Sequence, residues 1–132
     1  MKRSLARENA FILIFEKSIN DIDMTEIINT AIEARELEDD PFMRRVATGV
    51  FDSLDAIDKK IEQNCVGWKL NRVSKVALAA MRLCCFELMF EEDIPESVSI
   101  NEAVELTKKY AGEEDSSYVN GVLGSIVRIK NE

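Results

Sequence analysis

Between Val76 and Phe90 only two residues carry charge, Arg82 and Glu87, and apolar side chains recur on every side of a helical wheel. A helix of that kind is stable only when other elements surround it. This stretch, running from about Arg72 to Phe90, is therefore expected to be the central helix of an all-α core, with amphipathic segments covering it. Arg82 and Glu87 must find partners inside it, because an unpaired buried charge is costly. Structural ion pairs are the expectation for both.

The rest of the chain supplies the cover. With two prolines and five glycines in 132 residues, good helix formers fill most of the sequence,. About six helical segments are legible. The first runs from Arg3 to Ser18, with Ala6, Ala10, Leu13 and Ile14 spaced for one buried face,. A second opens at Asp23, with Glu26 as a capping-box partner. Asp40-Pro41 starts a third with a cap and a proline at its first position, and the apolar spacing from Phe42 to Ile61 predicts one continuous helix. In the stretch SINEAVELTKKY, Ser99 and Glu102 read as a capping box opening a helix that Gly112 ends. Glu113 to Ser117 then reads as an acidic loop, with Asp115 or Ser116 capping a last helix. Gly121 and Gly124 would weaken that helix unless another backbone packed closely on them, so they read as a helix contact surface.

Composition narrows the chemistry. The sequence has no histidine, which removes imidazole-assisted nucleophiles, the usual general base and the commonest metal ligand,. No phosphate-binding glycine loop occurs, and no pair of carboxylates stands out on an apolar surface. The expectation is a protein without catalytic residues, metal or cofactor. Cys65 stands alone, and Cys84 and Cys85 point about 100° apart on a helix, so all three read as buried free thiols. No apolar run reaches the roughly 18 residues that cross a bilayer, and the N-terminus lacks a signal-like apolar block, so a cytoplasmic protein with no membrane contact is expected. Net charge is −8, yet residues 1–18 hold four cations against two carboxylates and residues 65–90 four against one. Two short basic islands thus lie in an acidic chain.

Three blocks, in order, carry a resemblance to the NusB family of transcription antitermination factors over nearly the whole length. They are Ala6-Arg7-Glu8 with Ala10, Leu13 and Phe15; Trp68 and Arg72 followed by Met81-Arg82-Leu83 and Phe86-Glu87-Leu88; and Ile94-Pro95, Val98, Ile100-Asn101-Glu102-Ala103-Val104-Glu105-Leu106 with Tyr118-Val119-Asn120-Gly121-Val122-Leu123. The resemblance implies two small three-helix bundles packed together, residues 1–64 and 65–132, with six to seven helices and no sheet. It implies binding of single-stranded boxA-type RNA from ribosomal RNA operons, as a heterodimer with the small-subunit ribosomal protein NusE, within an RNA polymerase antitermination complex. Both monomers and homodimers are compatible with it.

On this resemblance Lys2, Arg3 and Arg7 match the basic start of helix one that grips RNA, Arg72 and Lys75 the second basic island, and Tyr118 an aromatic residue beside the RNA. Cations on phosphates and an aromatic face for an unstacked base suit single-stranded RNA, although Tyr118 reads equally well as packing within the last helix. Phe15 and Glu114 stand at partner-facing positions. Two departures matter. The N-terminal basic run is shorter than in many relatives, which implies weaker intrinsic RNA affinity, and Ala77 replaces an acidic residue that faces the partner. The competing reading is a helical protein-interaction module with little or no RNA binding. Arg7→Glu and Lys2→Glu are expected to separate the two by abolishing RNA binding alone. Related domains also occur fused to RNA methyltransferases, but the chain ends at Glu132 without room for a cofactor domain, so no enzyme is expected.

Overall fold

The central stretch forms one buried helix. The computed structural model describes residues 1–65 and 73–130, which form seven α-helices and no strand. In order these are α1 (Arg3–Ser18), α2 (Met24–Arg35), α3 (Pro41–Asp52), α4 (Leu54–Glu62), α5 (Lys75–Phe90), α6 (Glu96–Ala111) and α7 (Glu113–Lys130). Every residue of α5 from Ala77 to Glu87 is buried, and α1, α3, α4, α6 and α7 all pack against it. α2 closes over α1 and α3, while α7 lies on α6 and α4. The buried apolar side chains of all seven helices belong to one cluster.

Local chemistry explains most of the helix starts. Asp23 accepts the Thr25 amide at 3.1 Å and Asp40 the Met43 amide at 2.9 Å, so a side chain meets a backbone donor that the helix leaves unpaired,. Pro41 follows as the first residue of α3, where a missing N–H costs nothing,. Ser74 does the same for α5, accepting the Ala77 amide at 3.1 Å. The expected start near Arg72, and Trp68 before it, lie outside the described residues.

Four sequence expectations are corrected. The single helix from Phe42 to Ile61 is two, interrupted at Ser53 (φ −118°, ψ 26°), whose amide still reaches the Gly49 carbonyl at 3.1 Å. A one-residue break hardly disturbs apolar spacing and is therefore silent in it. Ser99 and Glu102 form no capping box: α6 begins a turn earlier at Glu96, which leaves Ser99 on the buried face, donating to Glu87 Oε1 at 2.9 Å. Gly112 does end α6, at φ 99°, but the predicted acidic loop is the first turn of α7. Asp115 and Ser116 accordingly lie inside that helix, and Asp115 accepts the Ser74 hydroxyl at 2.8 Å.

Gly121 and Gly124 are the fourth. Among the described residues, a Cβ built on either meets no atom of another element within 4 Å, so none of the seven helices packs closely on them. Replacing each with alanine removes backbone freedom from the unfolded chain without a clash, and should stabilise by about 0.4–1 kcal/mol per site. Thermal unfolding of Gly121→Ala and Gly124→Ala measures this; a lowered midpoint would contradict it.

The charges within α5 are paired as expected. Arg82 makes two bonds to Asp58 of α4, at 2.9 and 2.8 Å. Glu87 makes two with Arg7 of α1, from Nε at 2.7 Å and Nη2 at 2.9 Å. The three cysteines are free and buried. Burial pushes the Cys85 thiol up to about 12 and raises Cys84 well above its ordinary value, so neither supplies a reactive thiolate.

Candidate functional site

The N-terminal turn of α1 presents Lys2 and Arg3 to solvent. Lys2 stands at the cap position, extended (φ −64°, ψ 150°), with its carbonyl accepting the Ala6 amide at 2.9 Å. The Arg3 guanidinium lies 3.9 Å from the ring centroid of Phe42 in α3. Two further contacts fix this turn. The Met1 ammonium meets Glu38 at 2.8 Å, and Ser4 Oγ donates to Glu102 Oε1 at 2.7 Å.

Arg7 does not belong to that surface, and its expected contact with RNA is corrected. Its side chain is 2% exposed and points inward to Glu87, itself 1% exposed. Glu87 also accepts from Ser99, and Glu102 lies 3.5 Å from the remaining Arg7 nitrogen. Arg7 is thus a buried tie between α1, α5 and α6. Its position in the Ala6-Arg7-Glu8 block follows from packing. Of the three N-terminal cations, Lys2 and Arg3 are exposed.

The second basic island is elsewhere. Arg7 at the start of α1 pairs with Glu87 near the end of α5, whereas Lys17 at the end of α1 and Arg82 earlier in α5 both approach the Phe51 ring. The two helices therefore run antiparallel. Lys75, exposed at the start of α5, lies at the opposite end of the pair from Arg3, on the order of 20 Å away given a 1.5 Å rise per residue. Arg72 lies outside the described residues. Lys75 and the Lys2–Arg3 pair therefore do not share one compact patch.

The Lys75 end collects the remaining site residues. The Ser74–Asp115 bond brings the first turn of α7 to the start of α5, and Glu114 is exposed in that turn. Phe15, near the C-terminal end of α1, is half-buried against the core. Tyr118 packs partly into the core, where burial and the Cys65 thiol beside it raise its hydroxyl pKa. Ala77 is 1% exposed, so this position is interior.

Between the first turns of α1 and the length of α6 runs a groove of about 400 Å³ bordered by Lys2, Leu5, Glu102, Glu105 and Lys109. Glu8 clamps its floor, accepting from Lys109 Nζ at 2.7 Å and the Tyr110 hydroxyl at 2.6 Å. These bonds, led by the one to Lys109, lower the Glu8 pKa. Tyr110 remains 43% exposed and its ring leans on Phe11 with centroids 5.3 Å apart. The approach of α1 through Glu8 places Tyr110 beside this groove. No helix among the described residues is long and apolar enough to cross a membrane.

Comparison with known proteins gives this arrangement a context. Residues 4–128 match the model of the NusB family. The chain is 39% identical to the transcription antitermination protein NusB of Clostridium botulinum (strain Kyoto / Type A2), covering 96% of this chain and 100% of that protein. It is 44% identical to the NusB protein of Acetivibrio thermocellus, over 98% and 91% of the two chains. Among solved structures it resembles one of the antitermination factors NusB and NusE in complex with dsRNA, with a TM-score of 0.87, 25% identity and 96% of each chain covered.

Proposed function

This chain belongs to the NusB family, and we propose that it is a transcription antitermination factor. In this reading it binds single-stranded boxA-type RNA of ribosomal RNA operon transcripts as a heterodimer with NusE, and the pair joins RNA polymerase in the cytoplasm. The observation that carries the proposal is near-full-length likeness to antitermination proteins at 39% and 44% identity. The solved NusB–NusE–dsRNA complex of the same fold supports both the RNA and the protein partner. Residues 1–64 and 65–132 act as the two bundles of one body.

Lys2 and Arg3 supply phosphate contacts at one end of α1 and Lys75 at the other, so RNA follows the length of α1; Arg72, outside the described residues, is the fourth proposed contact. Tyr118 offers a ring at the far end. Phe15 and Glu114, on that same end, face the NusE partner. Arg7 contributes by holding α1 in place. Four cations make a thin grip, and the helical interaction module with little RNA binding stays the second reading because burial of Arg7 removes a charge from the arm.

The salt dependence of RNA binding tests this. Each single-strand phosphate contact contributes about −0.7 to the slope of log K against log salt, so a slope near −3 is expected. A slope near zero would favour the interaction module. One of −6 or steeper would show that the cations named here are not the main contacts.

A further inference from the structure

We propose that Arg45 of α3 is a further phosphate contact, which carries the RNA from the start of α1 across Phe42 onto α3. The inference deepens the RNA-binding reading and rests on it.

The Phe42 ring is nearly buried, and three guanidinium groups surround it: Arg3 at 3.9 Å from its centroid, and Arg7 and Arg45 at 5.5 Å each. Arg7 is interior and committed to Glu87. Arg3 and Arg45 reach solvent, the latter with 52% of its side chain exposed. Because one lies 3.9 Å and the other 5.5 Å from the same ring centroid, two cations from different helices stand within about 10 Å of each other at the surface. Attraction to the ring face holds each guanidinium without consuming its N–H donors. Two long side chains ordered in advance lose less entropy when they close on phosphates.

Four of the surrounding carboxylates are already engaged. Glu38 meets the Met1 ammonium, Asp39 is bound by Arg44 at 3.0 Å, and Asp40 caps α3 from a buried position. Glu91 holds Arg45 through one nitrogen at 2.6 Å. That bond orients the side chain and leaves other donors of the fork for a ligand. Beyond Arg45 opens a groove of about 620 Å³, bordered by Thr25, Arg44, Thr48 and Asp52. Asp52 sits in this groove and keeps it from being uniformly cationic. The sequence hides the feature, since Arg44 and Arg45 fall in a segment, residues 19–64, where acidic residues far outnumber basic ones.

The test is a titration of a labelled single-stranded boxA-type RNA with the full chain and the ribosomal partner, at several salt concentrations. Arg45→Ala should weaken binding about fivefold at 0.1 M salt and flatten the slope by about 0.7, the share of one phosphate contact. Glu91→Gln should tighten binding, and the gain should vanish in the Glu91→Gln/Arg45→Ala double variant. If Arg45→Ala matches the wild type in affinity and slope while Lys2→Ala/Arg3→Ala loses both, the Arg45 inference is overturned and the RNA reading stands. If the wild type binds no RNA at all, both fall together.

Discussion

Arg7→Glu is expected to leave the protein without a cooperative fold. The substitution would gather three carboxylates, at positions 7, 87 and 102, in a space where Glu87 is almost fully buried. Even Arg7→Ala strands Glu87 without its counter-ion, and breaking one side of a buried pair costs about 3–5 kcal/mol. Whole domains are stable by only about 5–15 kcal/mol, so the alanine variant should fold with a midpoint roughly 10–20 °C lower. Removing both charges is a different operation. Arg7→Met/Glu87→Leu leaves no buried ion behind and should recover much of the loss, apart from the Ser99 hydroxyl that then lacks its acceptor. Circular-dichroism melting of the three variants checks the order. An Arg7→Glu protein that melts like the wild type would contradict the burial of this pair. One consequence is practical: loss of RNA binding by Arg7→Glu says nothing about RNA contacts.

The informative reversal is Lys2→Glu together with Arg3→Glu. Both side chains are exposed, so the fold should be unaffected and the melting midpoint should stay within a few degrees of the wild type. Each reversal removes one phosphate contact and adds a repulsion. Affinity for boxA-type RNA should fall by on the order of 10²-fold or more at 0.1 M salt. Binding to the ribosomal partner should be unchanged, because Phe15 and Glu114 sit at the other end of α1. Equal loss of partner binding would show that the two ends do not work separately.

Legibility in the sequence followed the range of the interactions. Asp40-Pro41 and Asp23 announce helix starts within four residues, and the structure places starts there. The all-round apolar character of residues 76–90 identified a surrounded helix, and with it the need of Arg82 and Glu87 for partners. What stayed hidden depends on distant neighbours. Arg7 looks like one more cation in a basic arm until α5 brings Glu87, 80 positions away, against it. Ser99 and Glu102 satisfy a capping pattern locally, but Ser99 is used by Glu87 and Glu102 by Ser4 of α1. The two basic islands look combinable on paper, and the antiparallel course of α1 and α5 sets Lys75 apart from Lys2 and Arg3. Arg45 gives the reverse case, a cation masked by the acidic segment around it and brought beside Arg3 by the Phe42 ring.

The most direct test is the fluorescence anisotropy of a labelled boxA-type single-stranded RNA, titrated with this protein alone and with the NusE-type ribosomal protein at fixed moderate salt. Weak binding that tightens when the partner is added, and fails with Lys2→Glu/Arg3→Glu, is the predicted result. Absence of RNA binding in both conditions, by a folded protein that still binds the partner, would contradict it and leave a helical protein-interaction module.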